Sequence, residues 1–310
     1  MLKYSIKRLL SAVPTLFLLI TFAFFLIRIA PGGPFDSERA LPPDIEANLE
    51  AKYDLDEALP LQYVRYLWQI IRLDLGPSFH YLDWTVNDLI AQGAPVSFAL
   101  GGLALLIALL IGVPIGAWAA LRQNRVADYS VMSLAMVGIS VPNFVMAPLL
   151  ILLFAIILGW LPAGGWAFSP SRMVLPVVTL ALPMIAYIAR ITRGSMIEVL
   201  RSSFIRTARA KGMPEKTILF QHALKPALLP VISYLGPSAA AILTGSVVVE
   251  RIFTIPGIGS YFVQGALNRD YTLVMGVVIL YGMLIILFNF LVDLIYAWLD
   301  PRIRYEEQDA

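Results

Sequence analysis

The sequence predicts an all-α integral membrane protein with six transmembrane helices and a small helical subdomain outside the bilayer after the first span. Three observations carry this. Mean hydropathy is +0.76 with 14% charged residues over 310 positions, far from a soluble domain of that length. Six uncharged runs, 9–27, 89–121, 129–171, 173–189, 226–249 and 271–292, are candidates for the roughly 20 apolar residues that cross a bilayer. The pieces between them alternate in charge, as short loops on opposite sides of a membrane do.

The first run follows Lys3, Lys7 and Arg8. Its apolar length exceeds a usual signal core and no small-residue cleavage site follows cleanly, so residues 1–29 are expected to remain as an N-terminal anchor helix. Segment 30–95 holds eleven acids against four bases. Apolar residues recur there at helical spacing in PPDIEANLEAKYDL and LQYVRYLWQIIRLDL, and PGGP at 31–34 and GPSF at 76–79 mark turns. A helical outer subdomain is expected, serving as a cap packed on the spans or as a docking surface for an external partner. Residues 96–299 then form a five-helix core and 300–310 a tail. Run 129–171 is long enough for two crossings, but Pro142 and Asn143 would place a hairpin after an arm too short to span. One crossing at about 143–160 is expected. Run 173–189 is short, and its helix is expected to continue through Arg190 and Arg193, whose long side chains can reach the interface.

With six spans and both termini inside, the inner pieces 1–8, 122–128, 190–225 and 300–310 carry three, two, eight and two basic residues. The outer pieces 161–172 and 250–270 carry one and two. Splitting run 129–171 into two spans would send the eight-base loop outside, against the bias.

That basic loop holds more than charge. Few breakers besides Gly194 interrupt 190–211, and a helix there is expected to end at Gly212, the residue suited to a left-handed C-terminal cap. Pro214 suits the first turn of a second helix and Glu215 its positive end; that helix is expected to run to about Leu224, with Pro226 as its stop. A solvated loop that sets topology or touches anionic headgroups accounts for the charge, but topology does not require a glycine corner between two helices.

Other chemistry is excluded by what is missing. The chain has no cysteine for a disulfide or thiolate site, and its two histidines, His80 and His222, are far apart in sequence. Basic residues are too scattered for a nucleic-acid footprint. No G-x-x-x-x-G-K-[ST] loop is present, so the chain carries no phosphate loop for a nucleotide. An intramembrane hydrolase lacks its G-x-S-x-G, and neither histidine lies in a span. For an ion-coupled secondary transporter the one hint is Asn289 with Asp293 one turn later, near the inner end of the last span, where an interfacial structural role is expected. Gly112 and Gly116 form a G-x-x-x-G pair suited to close helix packing. IPGIG at 255–259 is expected to turn the chain into a re-entrant or interfacial segment before the last span. The spans are apolar nearly all round, and no lumen face is marked.

Arg206, Thr207 and Ala208 stand where the cytoplasmic loop of binding-protein-dependent ABC importer permeases has Glu-Ala-Ala, and Gly212 stands at that loop's glycine. IRTARAKG followed by HALKPALLP resembles the peptide branch of that family. The similarity extends over nearly the whole chain, through YDLDEALPLQY at 53–63, DLGPSF at 74–79, SVPNF at 140–144, ARITRGSMIEVL at 189–200, NRDY at 268–271 and LVDLIYAWLDPRIRY at 291–305. SERALPPDIEANLEAKY and YLDWTVNDL resemble the oligopeptide members most, while PGGP stands where the branch often has PGDP. The resemblance implies a type I ABC importer permease fold in a bacterial inner membrane. It implies a homologous second permease, two ATP-binding cassette ATPases, an extracytoplasmic peptide-binding protein and oligopeptide uptake by alternating access, with dipeptides or nickel as alternative cargoes and no cofactor in this chain. It assigns Arg206, Thr207, Ala208, Ala210, Lys211, Gly212, Met213 and Lys216 to the helix that contacts an ATPase.

The topology is testable because no native cysteine interferes. Cysteines introduced at Ser37 and Ser203 and treated with an impermeant thiol reagent in intact cells should label at 37 only; labelling at 203 contradicts the six-span arrangement.

Overall fold

In a computed structural model the chain is described at residues 2–29, 33, 44, 48, 51–166 and 169–299. Most of the PGGP turn and the 300–310 tail lie outside those residues. Among the described residues the chain is helical, with one isolated bridge between Pro77 and Thr85.

Helix α1 is Leu2–Ile29, α2 is Leu59–Ile71 and α3 is Val86–Leu121. At 36 residues α3 is about 54 Å long, so it projects well beyond a hydrocarbon core of roughly 30 Å. Its start is set by Thr85, whose hydroxyl accepts the Asp88 N–H at 3.2 Å while the Asp88 carboxylate accepts the Thr85 N–H at 3.1 Å, a reciprocal cap. Helix α2 fills the angle between α1 and the last helix. Tyr66 and Phe24 are buried with Met275 and Ile279, and Thr21 and Tyr63 share a hydrogen bond at 2.6 Å. The segment between α1 and α3 is thus seated on α1 and the last helix through α2.

The expected single helix at 143–160 is instead half of a broken pair. Helix α4, Val126–Ser140, and helix α5, Asn143–Leu150 continued by a π-helical stretch Ile151–Ile157, meet at a bend of 102°. Proline at 142 explains the break: it disfavours helical backbone at the preceding residue, and Val141 is extended at φ −86°, ψ 115°. Neither arm is long enough to cross a bilayer alone, and by length and composition the two together count as one candidate span. Five single helices, Leu10–Ile29, Val86–Leu121, Pro170–Leu200, Leu229–Ile252 and Tyr271–Ile295, are long and apolar enough for the others.

Helix α6, Pro170–Leu200, continues past Arg190 and Arg193 as expected. Arg193, however, does not simply reach for the interface. Its guanidinium forks onto buried Asp128 in the first turn of α4, Nε to Oδ1 at 2.5 Å and Nη2 to Oδ2 at 2.7 Å, while Asp128 also accepts the Asn124 N–H at 2.9 Å. The helix expected over 190–211 breaks at Arg201–Ser202, where Ser202 turns extended and its hydroxyl donates to the Val199 carbonyl at 2.6 Å, a side-chain bond that competes with helix continuation. Helix α7 is Ser203–Ala210. Helix α8, Glu215–Thr217, runs through a π-helical stretch Ile218–Ala223 into α9, Leu224–Ala227. Pro226 therefore lies inside a helix rather than stopping one. The wider π turn carries the residue four before it, whose carbonyl a proline ring would otherwise meet. Helix α10 is Leu229–Gly245, α11 Val247–Ile252, α12 Ile258–Leu267 and α13 Tyr271–Leu299.

The main core lies between α3 and α6, where Leu100, Ala104 and Ala108 meet Leu180, Ala181 and Ile188. The G-x-x-x-G pair does pack helices closely: a methyl on Gly112 would stand 2.9 Å from Ile188 Cβ, and one on Gly116 would press on the Ala189 carbonyl and lie 2.8 Å from Thr192 Cβ. Gly116→Ala should therefore lower thermal stability in detergent by about 1–3 kcal/mol. Gly194→Ala, on an open face of α6, should leave stability unchanged or raise it by up to about 1 kcal/mol.

Candidate coupling site

The glycine corner has the geometry its sequence predicts. Gly212 sits at φ +76°, the Gly212 N–H donates to Arg209 O at 2.9 Å and the Met213 N–H to Ala208 O at 3.3 Å. Together these are the two bonds of a Schellman motif, which satisfies the last carbonyls of α7. Pro214 is extended and precedes Glu215, the first residue of α8, so it stands one position before the place expected of it. The Ile218 N–H donates to Pro214 O at 3.0 Å and closes the first turn.

One face of this pair is rooted and the other is free. Ile205, Ala208 and Ile218 are buried with Ala120 of α3, Met196 of α6 and Ala223 and Ala227 of the following helix, and Met213 packs against the same cluster. Arg206, Thr207, Arg209, Ala210, Lys211, Gly212 and Lys216 are exposed. The residues assigned to partner contact therefore divide: Ala208 and Met213 face this chain, and Arg206, Thr207, Ala210, Lys211, Gly212 and Lys216 face outward. Across the corner the Arg209 guanidinium donates to Glu215, Nε to Oε1 at 2.8 Å and Nη2 to Oε2 at 3.3 Å. That hydrogen bond lowers the Glu215 pKa and raises that of Arg209. The bridge is consequently present at neutral pH and lost as pH falls through the lowered Glu215 value; being exposed, it orients the corner more than it stabilises it.

Two further motifs prove to be ties between distant segments. IPGIG wraps the buried carboxyl of Glu250, which the sequence did not single out. Its Oε1 accepts from the Ser97 and Ser246 hydroxyls, each at 2.7 Å, and its Oε2 from the Ser260 N–H at 3.1 Å. A methyl on Gly257 would come within 2.6 Å of Oε1, and one on Gly259 within 2.5 Å of Val247 Cα, so the glycines let backbone approach the acid. GPSF and NRDY meet in the same way. Buried Asp270 accepts the Ser78 hydroxyl and the His80 N–H at 3.2 Å, and its other oxygen caps α13 through the Leu273 N–H at 3.1 Å.

An all-helical chain of broken and unbroken spans, with a glycine-cornered helix pair rooted on two of them, defines the permease half of a type I ABC importer. The chain belongs to the family of binding-protein-dependent transport system inner membrane components, whose pattern matches residues 112–305. It is 59% identical over 306 residues to the oligopeptide transport system permease protein OppB of Salmonella typhimurium, covering 98% of this chain and all of that one. It is 58% identical over the same span to OppB of Haemophilus influenzae and 48% identical over 308 residues to the dipeptide transport system permease protein DppB of Bacillus subtilis, again over that protein's full length. Among solved structures the fold resembles the MetNI methionine ABC transporter in inward-facing form, with a TM-score of 0.56 at 18% identity over 68% of this chain and 96% of that one. An amino acid ABC transporter with histidines gives a TM-score of 0.54 at 21% identity over 67% and 92%.

The division of faces sets an expectation for stability. Ile205→Ala, at a fully buried seat, should cost about 2–5 kcal/mol in detergent melts and speed amide exchange across 203–224. Thr207→Ala on the open face should stay within about 0.5 kcal/mol.

Proposed function

We propose that this chain is the permease subunit through which an ATP-driven importer takes up oligopeptides delivered by an extracytoplasmic binding protein, with α7 to α9 receiving the push of an ATPase. The observation that carries this reading is the corner at Gly212. Its outward face offers small and basic residues, while its inward face stands on Ile205 and Ile218 against the ends of α3 and α6 and continues through α9 into α10. A force on the open face therefore acts on three spans at once. ATP is bound and hydrolysed by two partner ATPases, a homologous second permease completes the pathway, and this subunit carries out no covalent chemistry. Residues 1–29 act as an anchor, 30–95 lie on the outside, the five-helix core of 96–299 includes the cytoplasmic coupling loop 190–225, and both termini, with the 300–310 tail, lie inside. Nucleotide-driven closure shifts the spans between outward and inward populations by differential contacts at the coupling face.

The similarity to OppB over the full chain supports oligopeptides as cargo; the more distant similarity to DppB supports dipeptides as the competing one. Competition of labelled tripeptide and pentapeptide uptake by unlabelled dipeptides separates the two.

Gly212→Val and Gly212→Asp place a side chain at a left-handed residue and strain it by roughly 1–2 kcal/mol. They should leave insertion and copurification intact while reducing ATP-dependent peptide uptake at least tenfold, whereas Lys216→Gln should lose less than threefold. A cysteine at Arg206 or Ala210, on the open face, should crosslink to an ATPase subunit. Normal transport by Gly212→Val, with insertion failing only in charge-removing variants, would leave the segment as a topology signal.

A further inference from the structure

Polar groups inside a membrane span are costly unless satisfied, and the buried acids of this protein are each held by several donors. Thr192 and Tyr281 bury side-chain oxygens without a partner, and so does Asn143. It opens α5 at the 102° bend, and its Oδ1 is buried with no hydrogen-bond partner. It lines a cavity of about 160 Å³ together with Leu180 and Met184 of α6 and Tyr234, Ser238 and Ile242 of α10. Leu180 and Met184 are ten and fourteen residues along α6, or about 15–21 Å from its start at 1.5 Å per residue. The cavity therefore lies near the middle of a hydrocarbon layer of roughly 30 Å. Ser238 is hydrogen-bonded to the Tyr234 side chain, the Tyr234 ring stacks on Tyr187 at 5.7 Å and 26°, and Arg190 lies over the Tyr187 ring at 5.3 Å. These groups form a lane of neutral polar and aromatic surface along α6 and α10, from the bend toward the end of α6 that carries the coupling helices.

We infer that this cavity is a contact site for the backbone of the peptide in transit, with Asn143 and Ser238 as its hydrogen-bonding groups. The inference rests on the proposed peptide-import function and names where the cargo touches this subunit. An asparagine amide offers one acceptor and two donors, matching the N–H and C=O of a peptide unit whatever its side chain. The cavity's lining has no carboxylate, imidazole or ammonium, so charge on the cargo gains no counter-charge there. Leu180, Ile242 and the adaptable thioether of Met184 accept apolar side chains of varied shape. Its volume is below the roughly 300–1,000 Å³ that encloses a small molecule, which fits an extended chain passing one segment at a time along a wall completed by another subunit.

The test uses the complete transporter with its binding protein in proteoliposomes. With the unmodified chain, a peptide bearing a benzoylphenylalanine residue and trapped by nonhydrolysable nucleotide should photolabel 140–146 or 234–242. Asn143→Ala and Ser238→Ala, singly and together, should cut uptake of labelled trialanine about tenfold while ATPase activity stays within twofold, so that more ATP is hydrolysed per peptide; Asn143→Gln should restore part of the loss. N-methylation of one backbone amide of the peptide should lower uptake by the unmodified chain and have little further effect on the double variant. Photolabelling confined to other segments, or wild-type uptake and ATP per peptide in the double variant, overturns the inference and leaves the import function standing. Absence of any ATP-dependent peptide uptake by the unmodified complex overturns the function itself, and the inference with it.

Discussion

Where α3 and α6 cross, no side chain separates the two backbones: Gly112 and Gly116 face Ile188, Ala189 and Thr192 directly, and any Cβ on Gly116 would collide with a carbonyl. Lipid tails are as apolar as leucine, so spans gain little by hydrophobic exclusion and associate through close packing instead. This is the most extensive helix–helix contact among the described residues, and much else is hung on it. Its upper part holds the main apolar core; its far end supplies Ala120 and Met196 as the seat of the coupling helices.

The remaining architecture is tied by acids that the apolar spans bury at some cost. Glu250 joins α3, α11 and α12; Asp270 joins the GPSF turn to the start of α13; Asp128 joins the α3–α4 turn to α6. Asp128 is ion-paired with Arg193, whereas Glu250 and Asp270 are held by hydroxyl and backbone N–H donors, and removing a partner from any of them leaves a buried acid with its desolvation penalty. Each tie therefore acts as a rigid link between segments far apart in the chain. These links and the two-backbone contact fix how the helices sit relative to one another.

The Gly212-cornered pair is held in place by packing. It has no strong bonds of its own beyond the corner's backbone pattern and an exposed Arg209–Glu215 bridge. Its stability comes from the apolar seat, as helices this short cannot stand alone in water. The pair is thereby fixed against the ends of α3 and α6 and the segment leading into α10.

The sequence alone determined the helical class, the membrane-spanning character and the family, because these rest on hydropathy and long local motifs such as IRTARAKG and HALKPALLP. It also determined the Gly212 corner, since a left-handed cap is a local demand that one residue type meets. What escaped it was pairwise. Nothing near Ser140 announces a bend of 102° beyond Pro142; nothing in a run of apolar residues shows that Ala208 faces its own chain while Ala210 faces out; and Arg193 reads as a snorkelling cation until Asp128, 65 residues earlier, is placed beside it. Pro226 read as a stop because the π turn that accommodates it depends on how 218–223 pack. Glu250 was unmarked, and Asn143 read only as part of a turn, for the same reason: whether a buried polar atom is satisfied depends on donors brought by other helices, and only the tertiary structure decides which donors arrive.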